Sequence, residues 1–234
     1  MNQDPATTHL TAAGQKAAGQ LRTELDMPRY GMVIDLKRCY GCYACMMACK
    51  TANHTPPGVF WARVLMGEVG TYPNAVRQAL PVLCMQCEEP SCLEVCPTGA
   101  TQKREDGIVI VEKDKCMGCK YCMQGCPYGA RYSVEKWESY FPDGLPLSPL
   151  EEFQKKAWVD KSGVGVATKC DFCLDKITNG GLPACVEACP AKARIFGDLD
   201  DLDSEAAVLI KRERGQVLNP ELGNNPKVYY LIPR

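Results

Sequence analysis

The stretch C-M-G-C-K-Y-C-M-Q-G-C-P, residues 116–127, has the cysteine spacing C-x2-C-x2-C-x3-C, followed by proline. Three further stretches end in the same C-x3-C and carry two more cysteines upstream. All sixteen cysteines of the 234-residue chain fall into these four quartets, and none is left over. The quartets, numbered in chain order, are Cys39, Cys42, Cys45 and Cys49; Cys84, Cys87, Cys92 and Cys96; Cys116, Cys119, Cys122 and Cys126; and Cys170, Cys173, Cys185 and Cys189.

This spacing is typical of bacterial ferredoxins, in which four thiolates hold one cubane iron–sulfur cluster. The third quartet matches the ferredoxin run in full, and three of the four quartets continue into proline. Because four thiolates serve one cube, sixteen thiolates predict four [4Fe-4S] clusters. The pattern therefore predicts that all sixteen cysteines bind clusters and that the chain transfers electrons along them.

Other uses of cysteine fit this pattern less well. Disulfide frameworks are typical of small secreted domains, and this chain has 234 residues. Structural zinc sites also use paired C-x2-C, but they do not require C-x3-C-P after each pair. Unrelated buried thiols would not sort into groups of four.

The charge balance gives no sign of a nucleic-acid partner, and it leaves two roles open for the basic residues near the quartets. The formal net charge is −1, so nothing indicates nucleic-acid binding. Four oxidised clusters with their thiolates would bring the loaded protein to roughly −9. Basic residues that flank the quartets either offset this charge or form a solvated face: Lys37, Arg38, Lys50, Lys113, Lys115, Lys120 and Arg131.

Short strands are predicted directly before the first three quartets, over residues 30–36, 78–83 and 107–111. The expected fold is α+β, with two ferredoxin-like two-cluster modules, one inserted in the other, and loop-rich extensions. The expected divisions are an N-terminal extension (1–28), a first module with quartets one and four (29–76 and 164–200), an inserted module with quartets two and three (77–132), an insertion (133–163) and a C-terminal extension (201–234).

Three segments outside the quartets give further expectations. Residues 12–25 are predicted to be helical. Residues 206–212 are predicted to form a helix with Ser204 as N-cap, and residues 227–232 a closing strand. Residues 133–169, rich in aromatics and prolines, are either a surface excursion or a docking element for a partner subunit.

The ligand pairing is predicted from the ferredoxin rule that the fourth cysteine of each run ligates the other cluster of its module. The rule gives cluster A (Cys39, Cys42, Cys45 and Cys189), cluster B (Cys170, Cys173, Cys185 and Cys49), cluster C (Cys116, Cys119, Cys122 and Cys96) and cluster D (Cys84, Cys87, Cys92 and Cys126).

The chain contains no run of about 20 apolar residues, so no direct membrane span is expected. The first 28 residues have neither a hydrophobic core nor a twin-arginine pair, so no export signal of its own is expected. The expected location is cytoplasmic, or the extracytoplasmic (periplasmic) membrane face if a signal-bearing partner carries the folded chain across.

The chain resembles a known family over roughly residues 30–234. The family comprises the four-cluster electron-transfer (beta) subunits of the dimethyl-sulfoxide-reductase superfamily of molybdopterin oxidoreductases. The matching stretches are GMVIDLKRCYGCYACMMACKT (31–51), GVFW (58–61), CMQCEEPSCLEVCPTGA (84–100), CMGCKYCMQGCPYG (116–129), KCDFC (169–173) and PACVEACPAKAR (183–194).

The resemblance implies partners and a role. A large molybdopterin-containing catalytic subunit is implied as one partner, and a membrane quinone-reactive subunit or another redox partner as the second. The chain itself would have no catalytic residue and would not be an enzyme on its own. The resemblance also implies the order A, B, C, D, with cluster A nearest the catalytic subunit. Because relatives with a three-iron cluster replace the cysteine at position 119, Cys119 predicts four full cubanes.

Two other functions stay open on the sequence. One is the ferredoxin-like subunit of a hydrogenase or formate-linked complex, which nickel without molybdenum in the purified complex would favour. The other is a free-standing polyferredoxin, which stable monomeric behaviour of the loaded protein would favour. The sequence does not distinguish among the reductions of anaerobic respiration that a partner enzyme could perform.

Overall fold

The computed structural model describes residues 27–141 and 144–233, so the helix predicted over residues 12–25 lies outside the described part. The chain has a mixed α/β fold built from short elements. The strands are β1 (Tyr30–Asp35), β2 (Arg63–Val69), β3 (Val76–Val82), β4 (Thr101–Lys103), β5 (Val109–Val111), β6 (Tyr132–Ser133), β7 (Ala167–Thr168), β8 (Arg194–Asp198) and β9 (Val228–Leu231). The α-helices are α1 (Ala44–Asn53), α2 (Ser91–Glu94), α3 (Tyr121–Gln124), α4 (Pro149–Lys161), α5 (Leu174–Thr178), α6 (Ala184–Glu187) and α7 (Glu205–Glu213), and single 3-10 turns span Lys113–Lys115 and Pro220–Leu222.

Among the helices of residues 27–141 and 144–233, none combines the length and the apolar character that a membrane crossing requires.

The largest sheet joins the two ends of the described chain. Strand β1 is central and pairs antiparallel with β8 and parallel with β9. Side chains alternate across a strand, so Met32 and Ile34 of β1 enter the main core, whereas Val33 enters a second core. Strands β8 and β9 and helix α7 complete the second core, which includes Leu209. This sheet holds the start of the first quartet close to the end of the fourth.

The second and third quartets are joined by the same kind of contacts. Strand β4 follows the second quartet and pairs antiparallel with β5, which precedes the third. Helix α2 contacts α3, as α1 contacts α6. Each of these helices carries one or two of the cysteines. Quartet one therefore lies close to quartet four, and quartet two lies close to quartet three.

Most of the predicted elements outside the quartets are confirmed. The strands predicted over residues 30–36, 78–83, 107–111 and 227–232 correspond to β1, β3, β5 and β9. Helix α7 begins as predicted, because the Ser204 hydroxyl accepts a hydrogen bond from the Ala207 amide at 3.1 Å. Strand β3 also pairs with β2, so this hairpin carries the chain across the expected boundary between residues 76 and 77.

Residues 133–169 contain a helix that the sequence did not predict. Helix α4 starts with a capping box between Ser148 and Glu151 and has Pro149 in its first turn. Its Trp158 is fully buried in the main core, with the ring centroid 5.8 Å from that of Trp61. This part of the segment therefore belongs to the core and is not a surface excursion, while the docking interpretation stays a prediction.

Removing the Trp158 side chain is expected to destabilise the fold strongly. Trp158→Ala leaves a large cavity in the main core, and such substitutions lower the free energy of unfolding by about 3–5 kcal/mol. Leu150→Ala on the same helix is the control, because Leu150 is 65% exposed. Anaerobic chemical denaturation of the cluster-loaded protein measures both. Equal losses in the two variants would show that α4 does not contribute to the core as described.

Candidate iron–sulfur sites

Each C-x2-C loop turns at the same point. The residue before the second cysteine has a left-handed backbone in all four quartets: φ is 75° at Gly41, 47° at Gln86, 74° at Gly118 and 57° at Phe172. Glycine adopts this conformation at little cost. Gln86 and Phe172 do not have that freedom, but both are almost completely buried, so the surrounding packing holds them in place.

Two of the cysteine groups line cavities. The first cavity is lined by three cysteines of quartet one and one of quartet four: Cys39, Cys42, Cys45 and Cys189. The second is lined by three cysteines of quartet three and one of quartet two: Cys116, Cys119, Cys122 and Cys96. Within the described residues, no three His, Cys, Asp or Glu side chains converge closely enough to hold a metal ion. The thiols thus surround a volume and do not meet at a point.

The other eight cysteines are grouped by their electrostatic influence on one another. Burial raises the pKa of Cys49 to about 12, and the neighbouring Cys185 and Cys173 thiolates add to the rise. Burial raises the pKa of Cys170 as well, and its thiolate neighbours are Cys49, Cys173 and Cys185. These four thiols, three from quartet four and the fourth cysteine of quartet one, influence one another's pKa values, and Cys45 of the first cavity also acts on Cys185.

The last group follows the same rule. Burial raises the pKa of Cys87 to about 12, and the thiolates of Cys84, Cys92 and Cys126 raise it further. Three of these residues come from quartet two, and Cys126 is the fourth cysteine of quartet three. Without metal, such thiols are protonated at neutral pH, so metal binding has to release their protons.

Hydrogen-bond donors point at several of the sulfur atoms. The amide of Ala193 lies 3.3 Å from Cys189 Sγ, and that of Ala167 lies 3.4 Å from Cys116 Sγ. The buried Asn53 amide group donates to the sulfurs of Cys49 and Cys173 at 3.6 and 3.7 Å. Donors of this kind stabilise thiolates and tune cluster potentials.

Two buried guanidinium groups add positive charge beside the thiols. Arg131 donates from Nη2 to Cys92 Sγ at 3.0 Å, and Arg194 donates from Nη1 to Cys185 Sγ at 3.8 Å. The buried atoms Arg131 Nε and Arg194 Nη2 have no hydrogen-bond partner among the described residues. Buried cations and unpartnered donors beside cysteine thiols fit an anionic iron–sulfur cluster.

Some of the basic residues that flank the quartets lie against thiols, and others lie on the surface. Arg131 is buried against thiols, as the charge-offset interpretation expects. Lys37, Lys115 and Lys120 instead lie on the surface and form ion pairs with glutamates. Arg194 was missed from the sequence. The signal that would have found it is the repeat C-P-x-x-A-R at residues 126–131 and 189–194.

Gly118 and Gly41 provide a matched pair of variants. Both precede the second cysteine of their quartets, and both have φ near 75°. A Cβ at Gly118 would collide with the backbone oxygen of Gly165, whereas a Cβ at Gly41 would meet the Met66 sulfur at 2.9 Å, on a flexible side chain. We expect Gly118→Ala to lose the cluster of the third quartet, and Gly41→Ala to retain most of the cluster of the first.

Iron content and the EPR spectrum of the reduced protein measure this pair of variants. Both substitutions carry the same left-handed backbone strain, so their difference isolates the steric contact. Equal cluster loss in the two would mean that the strain alone decides and that the contact with Gly165 is unimportant.

Comparisons with known proteins agree with this geometry. The model of the 4Fe-4S dicluster domain family matches residues 76–140 and 153–199. The chain is 43% identical to a selenate reductase subunit of Mesobacillus selenatarsenatis, over 90% of this chain and 74% of the relative. It is 40% identical to a sulfite dehydrogenase subunit of Allochromatium vinosum, over 89% and 85%. It is 38% identical to the arsenate respiratory reductase iron–sulfur subunit ArrB of a Shewanella species, over 87% and 96%.

These relatives are named as subunits of oxidoreductases, and ArrB is named as the iron–sulfur subunit. Their similarity covers most of each of the chains compared. The chain has the thiol groups and donors of iron–sulfur sites and acts as a non-catalytic electron-transfer component. It belongs to the family of iron–sulfur electron-transfer subunits of molybdopterin oxidoreductases.

Proposed function

We propose that the chain binds four [4Fe-4S] clusters and relays electrons between a molybdopterin catalytic subunit and a quinone-linked or other redox partner. One observation carries the proposal. Two cavities are each lined by three cysteines of one quartet and the fourth cysteine of another, and the thiolates that raise the pKa values of Cys170 and Cys87 fit two further sets of the same composition. The two-cluster ferredoxin arrangement requires this exchange of fourth cysteines.

The proposed pairing assigns one group to each cluster. Cluster A takes Cys39, Cys42, Cys45 and Cys189; cluster B takes Cys170, Cys173, Cys185 and Cys49; cluster C takes Cys116, Cys119, Cys122 and Cys96; and cluster D takes Cys84, Cys87, Cys92 and Cys126. Clusters A and B form an outer module (29–76 and 164–200), and clusters C and D form an inserted module (77–132). The pairing of β1 with β8 and of β4 with β5 supports this nesting.

The residues of the chain would hold the clusters, exclude water and balance charge. When bound, the clusters supply one-electron, outer-sphere transfer. The cysteines assigned to cluster B are all buried, whereas Cys42 and Cys119 of clusters A and C are exposed. Burial lowers the local dielectric around cluster B, which favours a place in the interior of the relay.

The exposed face beside cluster A suits a partner subunit. Tyr40 and Met47 are large apolar side chains next to the first quartet, and both are more than half exposed. Exposed apolar surface of this kind marks contact sites. Following the family resemblance, we propose that the catalytic subunit lies against cluster A and that the relay runs A, B, C, D, with cluster D facing the outer redox partner. The compartment would follow that of the catalytic partner.

Anaerobic isolation of the tagged chain from its native host tests the assignment of partners. Mass spectrometry of co-purifying chains and elemental analysis of the same sample are expected to find a large subunit together with molybdenum or tungsten. Nickel without either metal would assign the chain to a hydrogenase-type complex instead. A stable monomer with no second chain would contradict the subunit role and leave a soluble polyferredoxin.

A further inference from the structure

A buried arginine occupies the same place in each proposed module. The chain reads C-P-Y-G-A-R over residues 126–131 and C-P-A-K-A-R over residues 189–194. Arg131 thus follows the last cysteine of quartet three by five positions, as Arg194 follows the last cysteine of quartet four. The repetition indicates one structural role that is present twice.

In the inserted module, Arg131 lies beside thiols that belong to two different groups. Its Nη2 atom lies 3.0 Å from Cys92 Sγ, and its positive charge counteracts the rise that burial causes in the pKa of the Cys122 thiol. Cys92 is the third cysteine of quartet two, and Cys122 is the third cysteine of quartet three. The guanidinium group therefore lies between the ligand sets of clusters D and C.

In the outer module, Arg194 lies beside the equivalent pair of thiols. Its Nη1 atom lies 3.8 Å from Cys185 Sγ, and the nearby Cys45 thiolate, like that of Cys185, raises the pKa of the guanidinium group. These are again the third cysteines of their quartets, four and one. The guanidinium group lies between the ligand sets of clusters B and A.

Each module has one arginine at these equivalent positions. The positions equivalent to Arg131 and Arg194 after the other two quartets are Thr101 and His54. Arg131 donates from Nη1 to the Thr101 hydroxyl at 3.1 Å, so it contacts its own counterpart across the module. The Thr101 amide in turn lies 3.5 Å from Cys96 Sγ, so Arg131 is also connected to a cysteine assigned to cluster C.

Neither guanidinium group has a carboxylate partner. Arg131 is 4% exposed and Arg194 is 3% exposed, and among the residues that the structure describes neither forms an ion pair with Asp or Glu. An unpaired buried cation is costly. The anionic ligand sets on either side are the counter-charge that this part of the structure offers.

We propose that Arg131 and Arg194 are fixed cations that raise the reduction potentials of both clusters in their own module. The inference rests on the proposed four-cluster pairing. Reduction adds one negative charge to a cluster, so a nearby positive charge stabilises the reduced form. Each arginine acts on both clusters of its module. It therefore shifts the reduction potentials of that module relative to those of the other module, and it changes the difference in potential between the two clusters of its own module less.

The test uses the intact complex and an EPR-monitored redox titration. Arg194→Gln removes one charge and keeps a hydrogen-bond donor, and it is expected to lower the midpoint potentials of clusters A and B only. Arg131→Gln is expected to lower those of clusters C and D only. Arg194→Lys keeps the charge and is expected to restore the potentials towards the wild-type values. Arg63→Gln is the control, because within residues 27–141 and 144–233 the Arg63 side chain donates to the backbone carbonyls of Tyr128 and Gly129 and to no thiol.

Each outcome separates this inference from the proposed function. Unchanged potentials in Arg194→Gln, with full iron content, would overturn it and leave the four-cluster assignment intact. A shift of a single cluster, or the same shift for Lys as for Gln, would overturn it too, because a fixed charge between two clusters acts on both. If Arg194→Gln fails to assemble, Arg131→Gln carries the same test in the other module. Fewer than four clusters in the wild-type complex would refute the proposed function itself.

Discussion

Cys189→Ser is expected to remove or degrade the cluster of the first quartet, and not that of its own quartet. Cys189 lines the same cavity as Cys39, Cys42 and Cys45, about 150 residues earlier in the chain, and the three partners it would leave cannot complete a cubane alone. The expected loss is one to four irons out of about sixteen, with a three-iron cluster as the partial product. Electron transfer through the chain should fall by more than about tenfold, because one member of the relay is missing or altered.

Two reference variants identify which cluster is lost. Cys39→Ser should produce the same change in the EPR spectrum as Cys189→Ser, because both residues are assigned to cluster A. Cys173→Ser lies in the same quartet as Cys189, but it should remove a different signal, because Cys173 neighbours Cys49 and Cys170. If Cys189→Ser and Cys173→Ser gave the same spectrum, and Cys39→Ser another, the proposed exchange of fourth cysteines would be wrong.

Iron removal is expected to abolish the cooperative fold. The main hydrophobic core includes Cys45, Cys49, Cys170 and Cys185, so the proposed clusters occupy the place of much of the core. Loss of a cluster leaves a cavity lined by thiols and beside it a buried guanidinium without its counter-charge. Circular dichroism and size-exclusion chromatography after anaerobic chelation should show an expanded chain without fixed tertiary structure.

The pH dependence of the metal-free chain follows from the thiols. Burial raises the pKa of Cys49 to about 12 and that of Cys185 to about 11, above the value of about 8.5 in an unfolded chain. Between these values the folded state binds more protons than the unfolded state. Any residual metal-free fold should therefore lose stability as pH rises from about 8.5 to about 12. Iron binding needs thiolates, so it should become more favourable over the same range.

A folded, compact metal-free chain would contradict this account of the core. The matched measurement is reconstitution with iron and sulfide, followed by the same circular dichroism. Recovery of the fold with the iron would show that the loss came from the clusters and not from chemical damage. A metal-free fold that grew more stable between pH 9 and pH 11 would contradict the buried-thiol argument.

The sequence predicted the parts of the fold that repeat a local pattern. The strands before the quartets and helix α7 with its Ser204 cap follow from short-range rules, and the structure has them. Helix α4 does not follow from the sequence pattern because prolines and polar residues dominate its surroundings, and the capping box at Ser148 and Glu151 is its one local signal. Trp158 gave no signal of its burial, because one aromatic side chain in a polar segment has no periodicity.

Some features of the candidate iron–sulfur sites also follow from the sequence, and others do not. The sixteen candidate ligands follow from spacing, because the chemistry of a cubane fixes the number and order of its thiolates. The left-handed turns at Gln86 and Phe172 could not be predicted, since neither residue type favours that conformation. The burial of Arg131 and Arg194 against the thiols of Cys92 and Cys185 depends on tertiary packing, which composition and local charge do not reveal.

The number of clusters that this chain holds is the most direct test of the account. The measurement is an iron and sulfide determination combined with an anaerobic redox titration of the isolated complex, with the partner's own iron counted separately. The account predicts about sixteen irons and four one-electron steps for this chain. About eight irons and two steps would contradict it, because two of the four cysteine groups would then have another role.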